Sequence, residues 1–180
     1  MASLLSLVAY IAYSWTIITG GTHPNVSSWI VWSFLSLLNF LSYKKLTGGW
    51  IKSILPSANS VMTIVIMVAG IKTGSLSILG DTDVICLGIG IIAGLVWWIK
   101  KSASFAQILL QIAIVVGFIP TIRNAYIFPG TELWVSWFLW TLSFVLQLLI
   151  VKRTSSGKFI EFLYPVNMIV WHGIVFLLAF

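Results

Sequence analysis

IPTIRNAYIFPGTELWVSWFLW, residues 119–140, joins the end of one apolar segment to the Trp-rich start of the next through a short polar elbow. Pro129-Gly130 marks the elbow, and a Trp-x-x-Trp pattern opens the second segment. A looser copy, WTIITGGTHPNVSSWIVW, occupies residues 15–32 and keeps the order of helix end, elbow and Trp-x-x-Trp. The two stretches together predict an internal repeat.

The repeat extends beyond the elbows in its polar residues. Apolar residues align easily by chance, so polar matches inside apolar runs are the informative ones. When Trp29 is set on Trp137, Ser28 pairs without a gap with Ser136, Ser33 with Thr141, Asn39 with Gln147, Lys44-Lys45 with Lys152-Arg153, and Asn59 with Asn167. After a small shift in the elbow, Thr16-Ile17 matches Thr121-Ile122. The pattern predicts three helices, a linker helix and three helices again, with both triplets in the same sense across a membrane.

The composition predicts an integral membrane protein. Of the 180 residues, 59% are hydrophobic and only 8% are charged, whereas soluble domains carry roughly 25% charged residues. So few charges could not cover a water-facing surface. The net charge of +6 comes mainly from short loops, where basic residues set orientation and meet lipid headgroups. We therefore expect the lipid bilayer, and not nucleic acid, as the partner of this charge.

Seven apolar runs approach the roughly 20 residues that a helix needs to span a bilayer. They are predicted at residues 2–19, 29–43, 54–71, 84–99, 104–120, 132–151 and 159–180. The predicted architecture is an all-α integral membrane protein of two parallel three-helix bundles joined by a linker helix. Its units are residues 1–75, 76–103 and 104–180.

The loop charges predict an orientation. Eight basic residues fall on the side that holds the N-terminus, whereas Lys72 and Arg123 alone fall on the other, with Asp81, Asp83 and Glu132. The positive-inside rule then predicts a cytoplasmic N-terminus and an external C-terminus, in a bacterial inner (plasma) membrane.

Asn59 and Asn167 are the first candidates for solute binding. A side-chain amide within hydrocarbon must find partners, and an amide pair offers donors and acceptors without a charge. Helix-to-helix bonding is the alternative role, and the sequence leaves both open. Trp32 and Asn39 are spaced to share one face of the second helix, and Trp140 and Gln147 share one face of the sixth. Trp171 and His172 lie at membrane depth in the seventh helix and are further candidates.

The two elbows supply candidate hinge and gate residues. Pro24 and Pro120 would let the bundles rock. Arg123 and Glu132 flank the second elbow, where they are interpreted either as a clamp or as a solvated loop pair. No catalytic triad, paired carboxylates, metal cluster or phosphate-binding glycine loop is visible in the sequence. The sequence therefore predicts neither an enzyme nor a bound metal or cofactor.

This chain resembles the SWEET and PQ-loop superfamily of seven-helix membrane proteins. Ile119-Pro120-Thr121-Ile122 is similar to the Pro-Gln turn, with Thr in place of Gln, while Trp15 stands where the first repeat would have that turn. The chain also resembles a family of small, uncharacterised bacterial seven-helix proteins with T-x-P-N-x-x-x-W and I-P-T-I…P-x-T-E elbows. In SWEET sugar transporters an asparagine pair binds the sugar, and the resemblance assigns that role to Asn59 and Asn167.

The expected function is a membrane transporter or facilitator of a small, neutral, polar solute, sugar-, nucleoside- or vitamin-like. Its cavity would lie between the two triplets. A non-transporting membrane partner or receptor of the same fold is the alternative. A functional monomer and a homodimer are both compatible with the sequence.

Overall fold

The computed structural model describes residues 1–22, 26–73, 80–100, 102–128, 130–155 and 157–180. The protein is all-α, and its seven helices follow the predicted order. They are α1 (Ala2–Ile18), α2 (Val26–Thr47), α3 (Trp50–Lys72), α4 (Asp81–Lys100), α5 (Ala103–Ile127), α6 (Trp134–Thr154) and α7 (Ile160–Ala179).

Four helices are long and apolar enough to cross a membrane: α3, α5, α6 and α7. A fifth, α1, is apolar but has 17 residues. Length and composition thus suggest an integral membrane protein and support four of the seven predicted spans.

The polarity of α1 is inverted relative to a helix of a soluble protein. Its outer face is apolar and exposed, and consists of Leu4, Val8, Ile11, Trp15 and Ile18. Its inner face buries the polar side chains of Ser6, Tyr10 and Tyr13. A helix that exposes apolar residues and buries hydroxyls suits lipid outside and a polar interior. This distribution suggests contact with a bilayer.

Six helices pack as a ring, and α4 lies outside it. Each ring helix packs mainly against two neighbours, in the order α1, α3, α2, α5, α7, α6 and back to α1. Smaller contacts join α3 to α6 and α2 to α7 across the ring. Within the described residues the backbones of α1 and α2 do not pack together, although the helices are consecutive, and neither do those of α5 and α6. Long aromatic side chains still join each pair across the ring, as Tyr13 does with Trp29 and Phe118 with Trp137. Exchanging α1 with α5, α2 with α6 and α3 with α7 reproduces the same neighbours. α4 packs against α5 and α2.

The predicted end of the fifth helix at Pro120 is wrong. α5 continues through Pro120 to Ile127, so Arg123 and Asn124 are helical, and α6 begins at Trp134. A proline removes one helical hydrogen bond and kinks the helix. Packing of Phe118 and Ala125, both buried on either side of Pro120, keeps the helix going. Prolines also lie inside α3 and α7.

Candidate functional site

A cavity of about 710 Å³ lies inside the helix ring. It extends from the middle of the bundle, at Asn59 and Tyr164, to the end where α5 finishes and α6 begins. Its lining there includes Arg123, Ile127 and Phe128, whose side chains are exposed, so the cavity opens at this end. Small-molecule sites commonly enclose about 300–1,000 Å³. The cavity is therefore large enough for a metabolite.

Aromatic rings form much of the cavity wall toward its open end, where α2 and α6 begin. Four of them make one connected cluster, with ring centroids separated by 5.5 Å for Tyr13 and Trp29, 5.5 Å for Tyr13 and Trp140, and 5.0 Å for Trp137 and Trp140. We call Tyr13, Trp29, Trp137 and Trp140 the aromatic cluster. The predicted wall residue Trp32 also lines the cavity, in edge contact with Phe118 at 4.5 Å.

Asn59 and Asn167 differ in their access to the cavity. Asn59 lines it, accepts from Ser6 Oγ at 2.7 Å and donates to Tyr164 Oη at 3.4 Å. Asn167 does not line it, and donates through Nδ2 to Gln111 Oε1 at 2.8 Å. Both amides thus join helices, and Asn59 alone also faces the cavity.

Asn39 and Gln147, the other matched pair of amides, also differ in their access to the cavity. Asn39 lines the cavity, and its Oδ1 accepts from Gln107 Nε2 at 2.8 Å and Gln111 Nε2 at 3.0 Å. Gln147 does not line it, and donates to the backbone oxygen of Lys52 at 2.6 Å. These bonds from Gln107 and Gln111 tie α5 to its ring neighbour α2.

Trp171 and His172 are neighbours in sequence with different surroundings. Trp171 Nε1 donates to Asn167 Oδ1 at 2.7 Å, and its ring does not line the cavity. His172 does line it, packs on Phe118 and Trp137, and has Nδ1 2.8 Å from the Met168 backbone oxygen. One of its ring nitrogens is thereby occupied within the helix.

The gate candidates are not arranged as a pair. Among the described residues the only salt bridge joins Lys52 to Glu161, so Arg123 and Glu132 are unpaired with each other. Glu132 is 8% exposed and lines the cavity, where its Oε2 accepts from Tyr13 Oη at 2.8 Å and Trp137 Nε1 at 3.0 Å. Burial raises the pKa of the Glu132 carboxyl, against the lowering effect of those two hydrogen bonds. The solvated-loop interpretation of Glu132 therefore does not describe this structure.

Of the two predicted hinge prolines, Pro120 borders the cavity within α5. Pro24 lies outside the described residues. Nearby, Trp140 Nε1 is one of two buried side-chain atoms in the described chain without a hydrogen-bond partner. A buried donor left unpaired costs about 1–3 kcal/mol, so this wall carries an unused donor.

A buried ion pair lies beyond the inner end of the cavity, further along α3 and α7 than the lining residues Asn59 and Tyr164. Lys52 Nζ, on the first turns of α3, lies 2.7 Å from Glu161 Oε2, on the first turn of α7. The two side chains are 9% and 1% exposed. The Tyr43 hydroxyl donates to the Glu161 backbone oxygen at 2.8 Å. We call Tyr43, Lys52, Gln147 and Glu161 the closed-end cluster.

Two prolines explain why backbone oxygens are available in this cluster. A proline has no N–H, so the carbonyl four residues before it loses its helical partner. Pro56 in α3 releases the carbonyl of Lys52, and Pro165 in α7 releases that of Glu161. Gln147 of α6 donates to the first and Tyr43 of α2 to the second. Each half of the ring thus supplies one donor to the other half.

Sequence reasoning missed this cluster. It treated Lys52 as a loop charge that sets orientation, and it gave Glu161 no role. The available signal was a Lys and a Glu near the starts of matched helices, each four residues before a proline. That spacing was readable, but the partners on α2 and α6 depend on the ring order.

The side chains that line the cavity define its chemistry. Among the described residues no group of three His, Cys, Asp or Glu side chains could hold a metal ion. The cavity offers aromatic faces, neutral hydrogen-bonding groups and one buried carboxylate. No protein-family model matches the chain, and searches of the curated proteins and of the solved structures also gave no match.

Proposed function

We propose that this protein is a membrane transporter or facilitator that moves a small polar solute by alternating access between α1–α3 and α5–α7. The supporting observation is the cavity between these two halves, which opens at one end and has beyond its other end a buried ion pair that joins the halves. In this proposal the structure represents the state open at the end away from the N-terminus. The opposite state forms when the closed-end cluster separates.

A two-fold repeat supports this mechanism, because equivalent halves can exchange conformations. The ring order is unchanged when α1–α3 and α5–α7 are exchanged. The alignment that sets Thr16 on Thr121 also sets Ser6 on Gln111. Ser6 bonds Asn59 and Gln111 bonds Asn167, so matched residues make matched contacts. These features fit the SWEET-like plan of two parallel triplets and a linker helix.

The closed-end cluster fits a gate better than a permanent strut. Removing one partner of a buried ion pair typically costs about 3–5 kcal/mol, whereas apolar residues can replace the whole pair at little cost. Stability alone therefore does not require charges here. A contact that must form and separate benefits from groups that water can solvate once it opens.

Cysteine accessibility tests the proposal. Ser36, which lines the cavity, is changed to cysteine in a Cys86→Ala background and reacted with a membrane-impermeant maleimide from each side. The intact protein should react mainly from the open side. Glu161→Gln weakens the closed end, so labelling from the N-terminal side should rise by about tenfold or more, as loss of a charged partner implies.

Lys158→Gln is the matched control, because Lys158 is an exposed charge three residues away. It should leave both labelling rates unchanged. The charge-exchanged double variant Lys52→Glu, Glu161→Lys should return the pattern toward that of the parent. A folded Glu161→Gln protein that still labels from one side only contradicts alternating access and favours the non-transporting partner or receptor.

A further inference from the structure

We propose that the solute recognised in this cavity is a small organic cation, held by the Glu132 carboxylate and the faces of the aromatic cluster. This inference rests on the proposed function and specifies its substrate class. It departs from the neutral solute that the sequence favoured on the basis of the Asn59 and Asn167 amides. The structure has Glu132 inside the cavity.

The first argument is the uncompensated charge of Glu132. The partners of its Oε2 are a phenol and an indole, both neutral donors. At 8% exposure the group is largely removed from water. A buried carboxylate is unfavourable unless it is paired or protonated. A cationic solute in the cavity would supply the missing charge.

The second argument is that the described chain offers no cation of its own at this position. Lys52 is bonded to Glu161 at the closed end of the cavity. Arg123 borders the cavity, but its side chain is exposed at the mouth and forms no salt bridge with Glu132. Solute can therefore reach Glu132 without displacing a charged side chain.

The third argument is the chemistry of the surrounding rings. Tyr13 and Trp137 both donate to Glu132 and both belong to the aromatic cluster. Their bonds hold the carboxylate at the edges of these two rings, on the same cavity wall as the other rings of the cluster. Aromatic faces attract cations through their quadrupoles, with Trp the most effective. An anion next to several Trp and Tyr faces provides both parts of a site for an alkylammonium group.

Sugars also stack on Trp, so the solute's charge must be tested directly. Choline and neohexanol have nearly the same shape, but neohexanol carries a carbon in place of the charged nitrogen. Binding of each to the purified full-length protein is measured by quenching of tryptophan fluorescence, in mildly alkaline buffer, which favours the ionised form of Glu132. Tetramethylammonium and glucose complete the panel. Choline should bind at least about tenfold more tightly than neohexanol.

Glu132→Gln removes the charge and retains an acceptor for Tyr13 and Trp137. It should weaken choline binding by about tenfold or more and leave neohexanol unchanged. Asp83→Asn is the matched control, because Asp83 is a buried acid at the same end that does not line the cavity. It should leave choline binding intact.

Equal binding of choline and neohexanol, glucose binding in preference to both, or no binding of either cation would each overturn the inference. The choline-to-neohexanol comparison uses the unaltered protein, so it stands even if Glu132→Gln fails to fold. The proposed function is judged separately, by labelling of the Ser36→Cys protein from the two sides. Labelling from both sides, combined with binding of a neutral solute, would overturn the cationic substrate class and leave the proposed transport function in place.

Discussion

Asn59 and Asn167 occupy matched positions on α3 and α7, yet only Asn59 borders the cavity. The alignment could predict that both amides bond neighbouring helices, because any amide at membrane depth needs partners. It could not predict which of them would also face open space. In the proposed transport cycle, that difference follows from the asymmetry of a state that is open at one end only.

We expect Asn59→Ala and Asn167→Ala each to lower the stability of the purified protein by about 1 kcal/mol, since each removes interhelical hydrogen bonds. Asn59→Ala alone should also abolish the stabilisation given by a solute. The measurement is a thermal-shift screen with sugars, nucleosides, vitamins, amino acids and small cations, because binding to the folded state raises apparent stability. Loss of a stabilising hit in Asn167→Ala but not in Asn59→Ala would show the assignment to be wrong.

The partners of individual charged residues could not be predicted from the sequence. Glu132 was identified as important from its place in the elbow, but its partners Tyr13 and Trp137 come from α1 and α6. Lys52 was assigned to a loop because Gly48-Gly49 precedes it. In the structure α3 begins at Trp50 and carries Lys52 into the interior. Long-range pairs of this kind leave no periodic trace in a single sequence.

Intrahelical prolines are the most informative feature at the scale of the helices. Pro56 and Pro165 each release the carbonyl that the opposite half of the ring then binds. A helix break and a contact between halves therefore have the same cause. Both prolines lie inside predicted apolar helices, whereas at Pro120 the sequence predicted a helix end and α5 continues for seven residues.

Pro56→Ala should distinguish the stability of α3 from the contribution of the closed-end cluster to closing the N-terminal side of the cavity. The change restores an N–H that bonds the Lys52 carbonyl within α3, so Gln147 loses its acceptor. We expect equal or higher thermal stability, because an interior proline costs a helix about 3 kcal/mol. Labelling of the Ser36→Cys protein from the N-terminal side should nevertheless increase several-fold.

Pro120→Ala is the control for that experiment, since Pro120 borders the open part of the cavity. It should leave labelling from the N-terminal side unchanged. If Pro56→Ala left this rate at its original value in a well-folded protein, the bond from Gln147 would have no part in holding the end closed.

At the scale of the whole molecule, apolar residues outside and polar residues inside were predictable from composition. Few charges and long apolar runs left no alternative to a lipid-facing surface. The ring order was not readable, because consecutive helices such as α1 and α2 are not neighbours in the described structure. Hydrophobic periodicity identifies helices and does not identify the helix that each one packs against.

The charge distribution predicts the orientation of the molecule. Basic residues concentrate at the end where α1, α3, α5 and α7 begin, so that end should be cytoplasmic. In a bacterial host, alkaline phosphatase fused after Phe180 should be active and a green fluorescent protein at the same place should be dark. Fusions after Lys158 should give the reverse. Phosphatase activity only at the Lys158 position would require the opposite orientation.

The ion pair of Lys52 and Glu161 also gives the closed end an unusual response to temperature. Charged groups lose hydration free energy on warming, so the penalty for burying an ion pair falls as temperature rises. Heat loosens most contacts in a folded chain, but it strengthens this one relative to the open, hydrated state. A cell that warms would thereby hold this end shut more firmly, and a cell that cools would let it open more readily.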